Sequence, residues 1–257
     1  HPDPATVLTG RPVPRLATIE DRVARLRAFG VEVVEPLLFT SDVAACSAEG
    51  FLDRLAERFV IAGMVVGPDF AFGRDRGVDV AALAVLAARR GFELTVVPPL
   101  DVAGERVSSR RVRALIEAGD IDLARLLLRL PPRLVGTVVH GAARGRGLGY
   151  PTANLDLVAE FVVPADGIYT VGARWRDGAG TVRRAPGVAS IGVRPTFDNG
   201  ERSVEVHLLD FDGDLYAREM TVDFLRRQRP ELRFDSVSTL VDQMDRDAAL
   251  AREDHAR

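Results

Sequence analysis

The sequence predicts two successive folds: an α/β layer with a mainly parallel sheet, then an antiparallel β-barrel closed by a final helix. Three observations carry this. From about Ile19 to Leu130 helical patterns alternate with short apolar runs, the rhythm of strands joined by crossover helices. Beyond Pro131-Pro132 the rhythm changes to strand-like runs separated by Gly, Pro and Asp clusters, which suits an antiparallel barrel. From Ser236 to Asp254 the pattern is helical again.

In order, the first half reads as helix Ile19 to Phe29 and strand Val31 to Leu38, then helix Ala48 to Arg58 and strand Val60 to Val66. Helix Val80 to Arg90, strand Phe92 to Val97 and helix Arg110 to Ala118 follow, with Asp120 to Leu130 as a connecting helix. The second half offers strands at Leu134 to Val139, Gly167 to Trp175, Arg183 to Ser190, Ser203 to Leu209 and Glu219 to Leu225. Pro131-Pro132 is the expected boundary, giving domains 1–130 and 131–257.

Composition sets the outer limits. With 257 residues, 47% hydrophobic residues and a net charge of -3, the chain is long enough for two ordinary cores and fits no fibrous or disordered class. No apolar run approaches the roughly 18 residues of a membrane span, and His1-Pro2-Asp3-Pro4 has no basic region followed by an apolar one. No membrane partner and a cytoplasmic location are expected. The single cysteine, Cys46, has no internal disulfide partner and is expected to be buried in a helical segment. Trp175, the only tryptophan, is expected in the core.

Two absences narrow the chemistry. All 34 basic residues are arginine, so a Gly-x-x-x-x-Gly-Lys-Ser/Thr phosphate loop is excluded. The four histidines, His1, His140, His207 and His255, are too scattered for a local zinc motif or a His-x-Gly-His pair.

Two segments carry the most chemistry: Gly147-Leu148-Gly149-Tyr150-Pro151-Thr152-Ala153-Asn154-Leu155, read as a loop, and Val204-Glu205-Val206-His207-Leu208-Leu209-Asp210, read as a strand. Together they suggest a magnesium-dependent kinase. Magnesium on a nucleotide takes few protein ligands, so the Thr152 hydroxyl and the Asn154 carbonyl suit an ion already bound to phosphates. The stretch His140 to Gly149 is glycine-rich enough for backbone amides to approach phosphates, with Arg144 or Arg146 to carry charge. Glu205 suits a base that accepts a proton from an attacking hydroxyl. Each has a plainer reading: a glycine-rich turn is usually only a turn, and Glu205 alternates with Val204 and Val206 as a solvent-face residue would. Arg194-Pro195-Thr196 either lines a ligand or fixes the turn at Phe197-Asp198-Asn199-Gly200. The cluster Arg226, Arg227, Arg229 and Arg233 lacks interleaved aromatics in an acidic chain, so no nucleic acid partner is expected.

These motifs resemble the bacterial bifunctional riboflavin kinase/FMN adenylyltransferase (FAD synthetase) family along the whole chain. The pattern Gly-x-Val-x-x-Gly…Gly-Tyr/Phe-Pro-Thr-Ala-Asn is met by Gly136 to Gly141 and Gly149 to Asn154. Gly187 to Thr196, Val204 to Asp210 and Gly213 to Tyr216 meet three further motifs, with Ala217 where the family usually has glycine. In the first half, Gly67 to Gly73 resembles Gly-x-Asp-Phe-x-Phe-Gly, and Val107 to Arg113 resembles the adenylate-binding Ile-Ser-Ser-Thr-x-x-Arg, with Arg110 in place of threonine.

The resemblance implies an incomplete Rossmann-like nucleotidyltransferase domain followed by a riboflavin kinase barrel. It implies Glu205 as catalytic base on the terminal ribityl hydroxyl, and Thr152 and Asn154 as magnesium ligands. ATP and phosphate contacts are implied at Gly141, Arg146, Gly149, Pro151, Thr152, Ser108, Ser109 and Arg113, and flavin contacts at Arg194, Arg226, Asp69 and Phe70. The expected reaction is ATP plus riboflavin giving FMN plus ADP. His1-Pro2 resembles the His-Pro after the family's second strand, so the His-x-Gly-His helix lies outside this sequence and adenylyl transfer is expected to be severely weakened. The alternatives are a full FAD synthetase, where that segment is present natively, and a non-catalytic flavin- or nucleotide-binding module. A sheet lacking a strand-helix unit leaves an edge open, from which self-association is expected.

Overall fold

The computed structural model describes residues 2–141, 144–158, 160–193 and 202–256. The chain forms two compact units: residues 1–13 with 19–107, and residues 14–18 with 108–257.

The first unit holds α1 (Pro4–Thr9), α2 (Ile19–Ala28), α3 (Ser41–Ala44), α4 (Ala48–Ala56), β1 (Gly63–Val66), α5 (Val80–Arg90), β2 (Glu93–Val96) and a small hairpin of β3 (Asp101–Val102) and β4 (Glu105–Arg106). Local chemistry fixes the helix ends. Asp79 caps α5 by accepting from Ala82 N, and Gly91 ends it with φ 74°, a conformation that glycine adopts without strain. The α/β expectation holds in outline, since β1 and β2 pair in parallel and Leu52, Leu83, Leu86 and Phe92 form a core. Each such side chain, fully buried, contributes about 1.5–3 kcal/mol.

Two expectations are corrected here. Val31 to Leu38 forms no strand: the parallel sheet consists of β1 and β2, and Val33 and Leu38 lie exposed. Apolar alternation alone makes no strand without a partner to complete its hydrogen bonds. Cys46 lies between α3 and α4 and is only partly buried.

The second unit contains α6 (Ser109–Ala118), α7 (Ile121–Leu128), β5 (Arg133–Val139), a 3-10 turn at Arg144–Leu148, β6 (Ala153–Leu157), β7 (Gly167–Arg176), β8 (Val182–Val193), β9 (Arg202–Leu208), β10 (Glu219–Arg229) and α8 (Val237–Ala256). The six strands close into an antiparallel barrel in the order β10-β5-β6-β9-β8-β7. Its interior holds Leu134, Tyr169, Val171, Ile191, Val206, Met220, Val222 and Phe224, and Trp175 joins this core as expected. By packing, α6 and α7 go with the barrel, with Ile121 buried in its core, although both precede Pro131-Pro132.

One barrel strand escapes the sequence reading. The segment after Pro151-Thr152, read as a loop, becomes β6 at once and pairs with both β5 and β9. Gly136 permits the first pairing, because a Cβ there would stand 2.7 Å from the Asp156 carbonyl oxygen. Ala217 sits at φ 60°, so the methyl at a position where the resembled pattern has glycine costs about 1 kcal/mol.

Candidate active site

The antiparallel register places Asn154 of β6 directly opposite Glu205 of β9, which in turn faces Ser190 of β8. On β9 the inward side chains Val204, Val206 and Leu208 are buried in the barrel, while Glu205 and His207 point to its outer face. That outer face is not open solvent. α8 lies across it, and together they enclose a cavity of about 390 Å³. The barrel side supplies Ile168, Val188, Ser190, Glu205 and His207, and α8 supplies Leu240, Met244, Asp247 and Ala248. The link Arg229 to Phe234 closes one side, with the Arg229 guanidinium 5.9 Å from the Phe234 ring centre.

A second cavity, of about 680 Å³, opens at the end of the barrel. It is lined by Val138, Val206 and Leu208 from the core, by Pro151, Thr152 and Ala153, and by the turn Phe211 to Tyr216. Thr152 lines both cavities. Its hydroxyl donates to Glu205 Oε2 at 3.2 Å, so a hydroxyl and a carboxylate meet where an apolar cavity adjoins a more polar one.

Close approach holds this junction in place. Asn154 is buried against Gly141, where a Cβ would come within 2.1 Å of Asn154 Nδ2 and 2.6 Å of Oδ1. Gly145 is similarly obliged, because its Cβ would stand 2.2 Å from the Tyr150 carbonyl oxygen. Pro151 is fixed by its carbonyl, which takes a hydrogen bond from His207 Nδ1 at 2.9 Å. A carbonyl only accepts, so Nδ1 carries the proton. The Tyr150 ring lies 5.0 Å from the His207 ring, and its hydroxyl donates to Asp245 of α8. Burial, then the Asp245 carboxylate, pushes the Tyr150 phenol up to about 12, so it remains a donor at neutral pH.

The sequence-derived candidates fall into groups. Gly141, Pro151, Thr152, Asn154 and Glu205 come together as described, and Gly149 (φ 85°) ends the 3-10 turn that leads into them. Arg146 lies on that turn; its side chain, and Arg194 with the turn after it, lie outside the described residues. Arg226 does not line the apolar cavity: it pairs with Asp254 at 3.3 Å, and its neighbour Arg229 lines the cavity instead. Ser108 caps α6 by accepting from Arg111 N, Ser109 opens that helix, and Arg113 Nε donates to the Pro14 carbonyl at 2.8 Å. In the first unit, Asp69 pairs with Arg106, and Phe70 packs 5.4 Å from Phe72 in the local core.

Sequence reasoning assigned no role to the cavity walls Tyr150, His207, Arg229, Phe234, Met244 and Asp247, although Tyr150 and His207 lie in the two segments it singled out. Arg229 had a signal in the arginine cluster; the α8 residues had none, because only the packing of a distant helix brings them to the barrel.

Comparison with known proteins settles the family. The riboflavin kinase family profile matches residues 128–255, and the FAD synthetase profile matches residues 1–111. A bifunctional riboflavin kinase/FMN adenylyltransferase from Pseudomonas fluorescens is 38% identical over 259 residues, covering 98% of this chain and 80% of that protein. The chain belongs to the bifunctional riboflavin kinase/FMN adenylyltransferase family. An Escherichia coli K12 protein of the same description is 37% identical over 93% of this chain and 75% of its own length. A Streptococcus pneumoniae crystal structure described as a macrolide-efflux protein superposes with a TM-score of 0.84 at 33% identity, covering 97% of this chain and 80% of that one. Among the described residues of this family member, no helix is long and apolar enough to cross a membrane.

Proposed function

We propose that this chain phosphorylates riboflavin, using ATP and magnesium, to give FMN and ADP. The observation that carries the reading is the junction at Thr152, Asn154 and Glu205 between an apolar cavity and a polar one. A flat, largely apolar isoalloxazine suits the cavity under α8, and its ribityl chain then leads toward Glu205. The nucleotide occupies the second cavity, its γ-phosphate toward Thr152. Glu205 orients the terminal ribityl hydroxyl and takes its proton as the oxygen attacks the γ-phosphorus and ADP leaves.

The donor set fits magnesium. Asn154 and Thr152 offer neutral, hard oxygens, and among the described residues no cluster of three or more acidic, histidine or cysteine side chains competes to hold an ion. When bound, the ion neutralises phosphate charge. The chain's own part is to hold those two oxygens, which Gly141 does by letting Asn154 lie against its backbone. Gly141→Ala is therefore expected to lower FMN formation about 10²-fold by displacing Asn154, with the far-UV circular dichroism of the barrel retained. Wild-type turnover in that variant would remove Asn154 from the mechanism.

The first test is to incubate the chain with riboflavin, ATP and magnesium and to separate the flavins by chromatography. FMN and ADP should accumulate together, and only with the metal. A folded chain that binds riboflavin and makes no FMN would support a binding module instead. FAD as a further product would support the second reading, FMN adenylylation, which the FAD synthetase match over residues 1–111 favours. In this reading residues 1–130 serve the adenylyl step and 131–257 the kinase step. A cytoplasmic location accompanies it.

A further inference from the structure

The outer face of the barrel changes character at one residue. Ile168 of β7, Ser190 of β8 and Glu205 of β9 are successive partners in the register, and all three line the apolar cavity. Across the sheet, an aliphatic side chain, a hydroxyl and a carboxylate therefore stand in a row. Residues directly opposite on antiparallel strands have Cβ atoms about 4.5–5.5 Å apart, so Ser190 and Glu205 are spaced to meet neighbouring oxygens of one ligand. Most other polar groups of the wall are engaged: Thr152 donates to Glu205, Tyr150 to Asp245 and His207 to the Pro151 carbonyl, and Arg229 pairs with Asp247. Ser190 is half-buried, and among the described residues its hydroxyl bonds to no protein group. A cavity hydroxyl in that position is satisfied by water or by a ligand.

Resting on the riboflavin kinase reading, we infer that Ser190 is a specificity-determining residue that holds the secondary hydroxyl next to the terminal one on the ribityl chain. With the terminal hydroxyl on Glu205, its neighbour along the chain falls to the adjoining strand, where Ser190 stands. A serine hydroxyl both donates and accepts, so it serves a chain alcohol in either sense. Pinning that alcohol stops rotation about the last carbon–carbon bond and keeps the attacking oxygen at Glu205. Beyond Ser190 toward β7 the wall is Ile168, which offers an alcohol nothing. The substrate class is thus a flavin whose chain ends in two adjacent hydroxyls, which is narrower than any flavin with a primary alcohol.

The test compares riboflavin with 4′-deoxyriboflavin, which keeps the chain length and the terminal hydroxyl and lacks the neighbouring one. In the wild-type chain kcat/KM for riboflavin should exceed that for the analogue about tenfold, the size of one hydrogen bond at the upper end of its usual range. Ser190→Ala should lower kcat/KM for riboflavin by that factor and leave the analogue unchanged, so that the preference disappears. Ser190→Thr keeps a hydroxyl on a residue suited to a strand and should retain most of it. The KM for ATP should not move. Because the hydroxyl has no protein partner to lose, Ser190→Ala should also melt at the wild-type temperature.

A preference retained in Ser190→Ala, or absent from a wild-type chain that makes FMN, would overturn the inference and leave the kinase reading intact. Equal losses for both flavins would overturn it too, making Ser190 a support of the strand. The nearest rival is Glu231, whose carboxylate lies against Gly192, two residues along β8, where a Cβ would stand 2.2 Å from Oε1. A preference lost in Glu231→Gln and kept in Ser190→Ala would move the contact there. Flavin fluorescence reads the same preference as a ratio of dissociation constants without turnover. A chain that makes no FMN, yet binds riboflavin more tightly than the analogue only while Ser190 is present, would sink the kinase reading and keep the Ser190 contact.

Discussion

Glu205→Gln is expected to lower the rate of FMN formation by about 10²–10⁴-fold, the usual span for loss of a general base, while riboflavin and nucleotide still bind. At 1.36 kcal/mol for each factor of ten this is ~3–5 kcal/mol of transition-state stabilisation. Glutamine keeps the size and an oxygen for the Thr152 hydroxyl, so the 3.2 Å contact has a partner and Thr152 is not released. What disappears is the ability to accept a proton. Glu205→Ala removes the contact as well and should additionally weaken nucleotide binding. Single-turnover kinetics on both variants, with riboflavin affinity read from flavin fluorescence, separate the two effects. A fall of less than tenfold in Glu205→Gln would reduce Glu205 to a strand residue that happens to face a cavity.

That distinction could not be drawn from the strand alone. In the sequence, Glu205 and His207 alternate with Val204, Val206 and Leu208, which fits a barrel strand with a wet outer face equally well. Alternation reports which side faces the core and says nothing of what covers the other side. Here α8, some forty residues later, covers it. The barrel strands with long alternating runs, such as Gly167 to Trp175, were legible because each carries its own period. β6 was not, because it is only five residues long, begins two residues after Pro151, and carries two polar residues, Asn154 and Asp156. The apolar run Val31 to Leu38 failed in the opposite direction, since pairing is a property of two segments and its composition describes one. The ligand-facing motif was legible for a local reason: Gly141 and Gly145 are glycines because Asn154 and the Tyr150 carbonyl occupy the space of a side chain. The wall of the apolar cavity is assembled by packing from several distant segments, from Tyr150 and Thr152 to Leu240 and Ala248, and of its arginines Arg229 stood in a cluster that composition singled out.

Asp247→Ala should destabilise the second unit by about 3–5 kcal/mol, the cost of breaking a buried ion pair by removing one partner. The Asp247 side chain is 4% exposed and that of Arg229 15%. Asp247 accepts from Arg229 Nε and, at 2.6 Å, from Nη2, and also from Gln243 Nε2 at 2.9 Å. Alanine leaves the guanidinium between an apolar cavity and a helix without its bidentate partner, with Glu231 as the carboxylate still acting on it. For a unit of this size the expected fall in Tm is roughly 6–20 °C, at 2–4 °C per kcal/mol, read by calorimetry on the transition that riboflavin shifts. A change under 1 kcal/mol would mean that water reaches the pair freely. The same pair also walls the apolar cavity under α8, so its part in stability and its proposed part in flavin binding need separating. Replacing both partners with apolar residues, Arg229→Met with Asp247→Leu, should recover much of the lost stability, because the desolvation cost of two charges goes with them. Riboflavin affinity should not recover, since the cavity then lacks the guanidinium that lies beside Phe234. A double variant that is stable and still binds riboflavin as the wild type does would assign the pair to α8 docking alone.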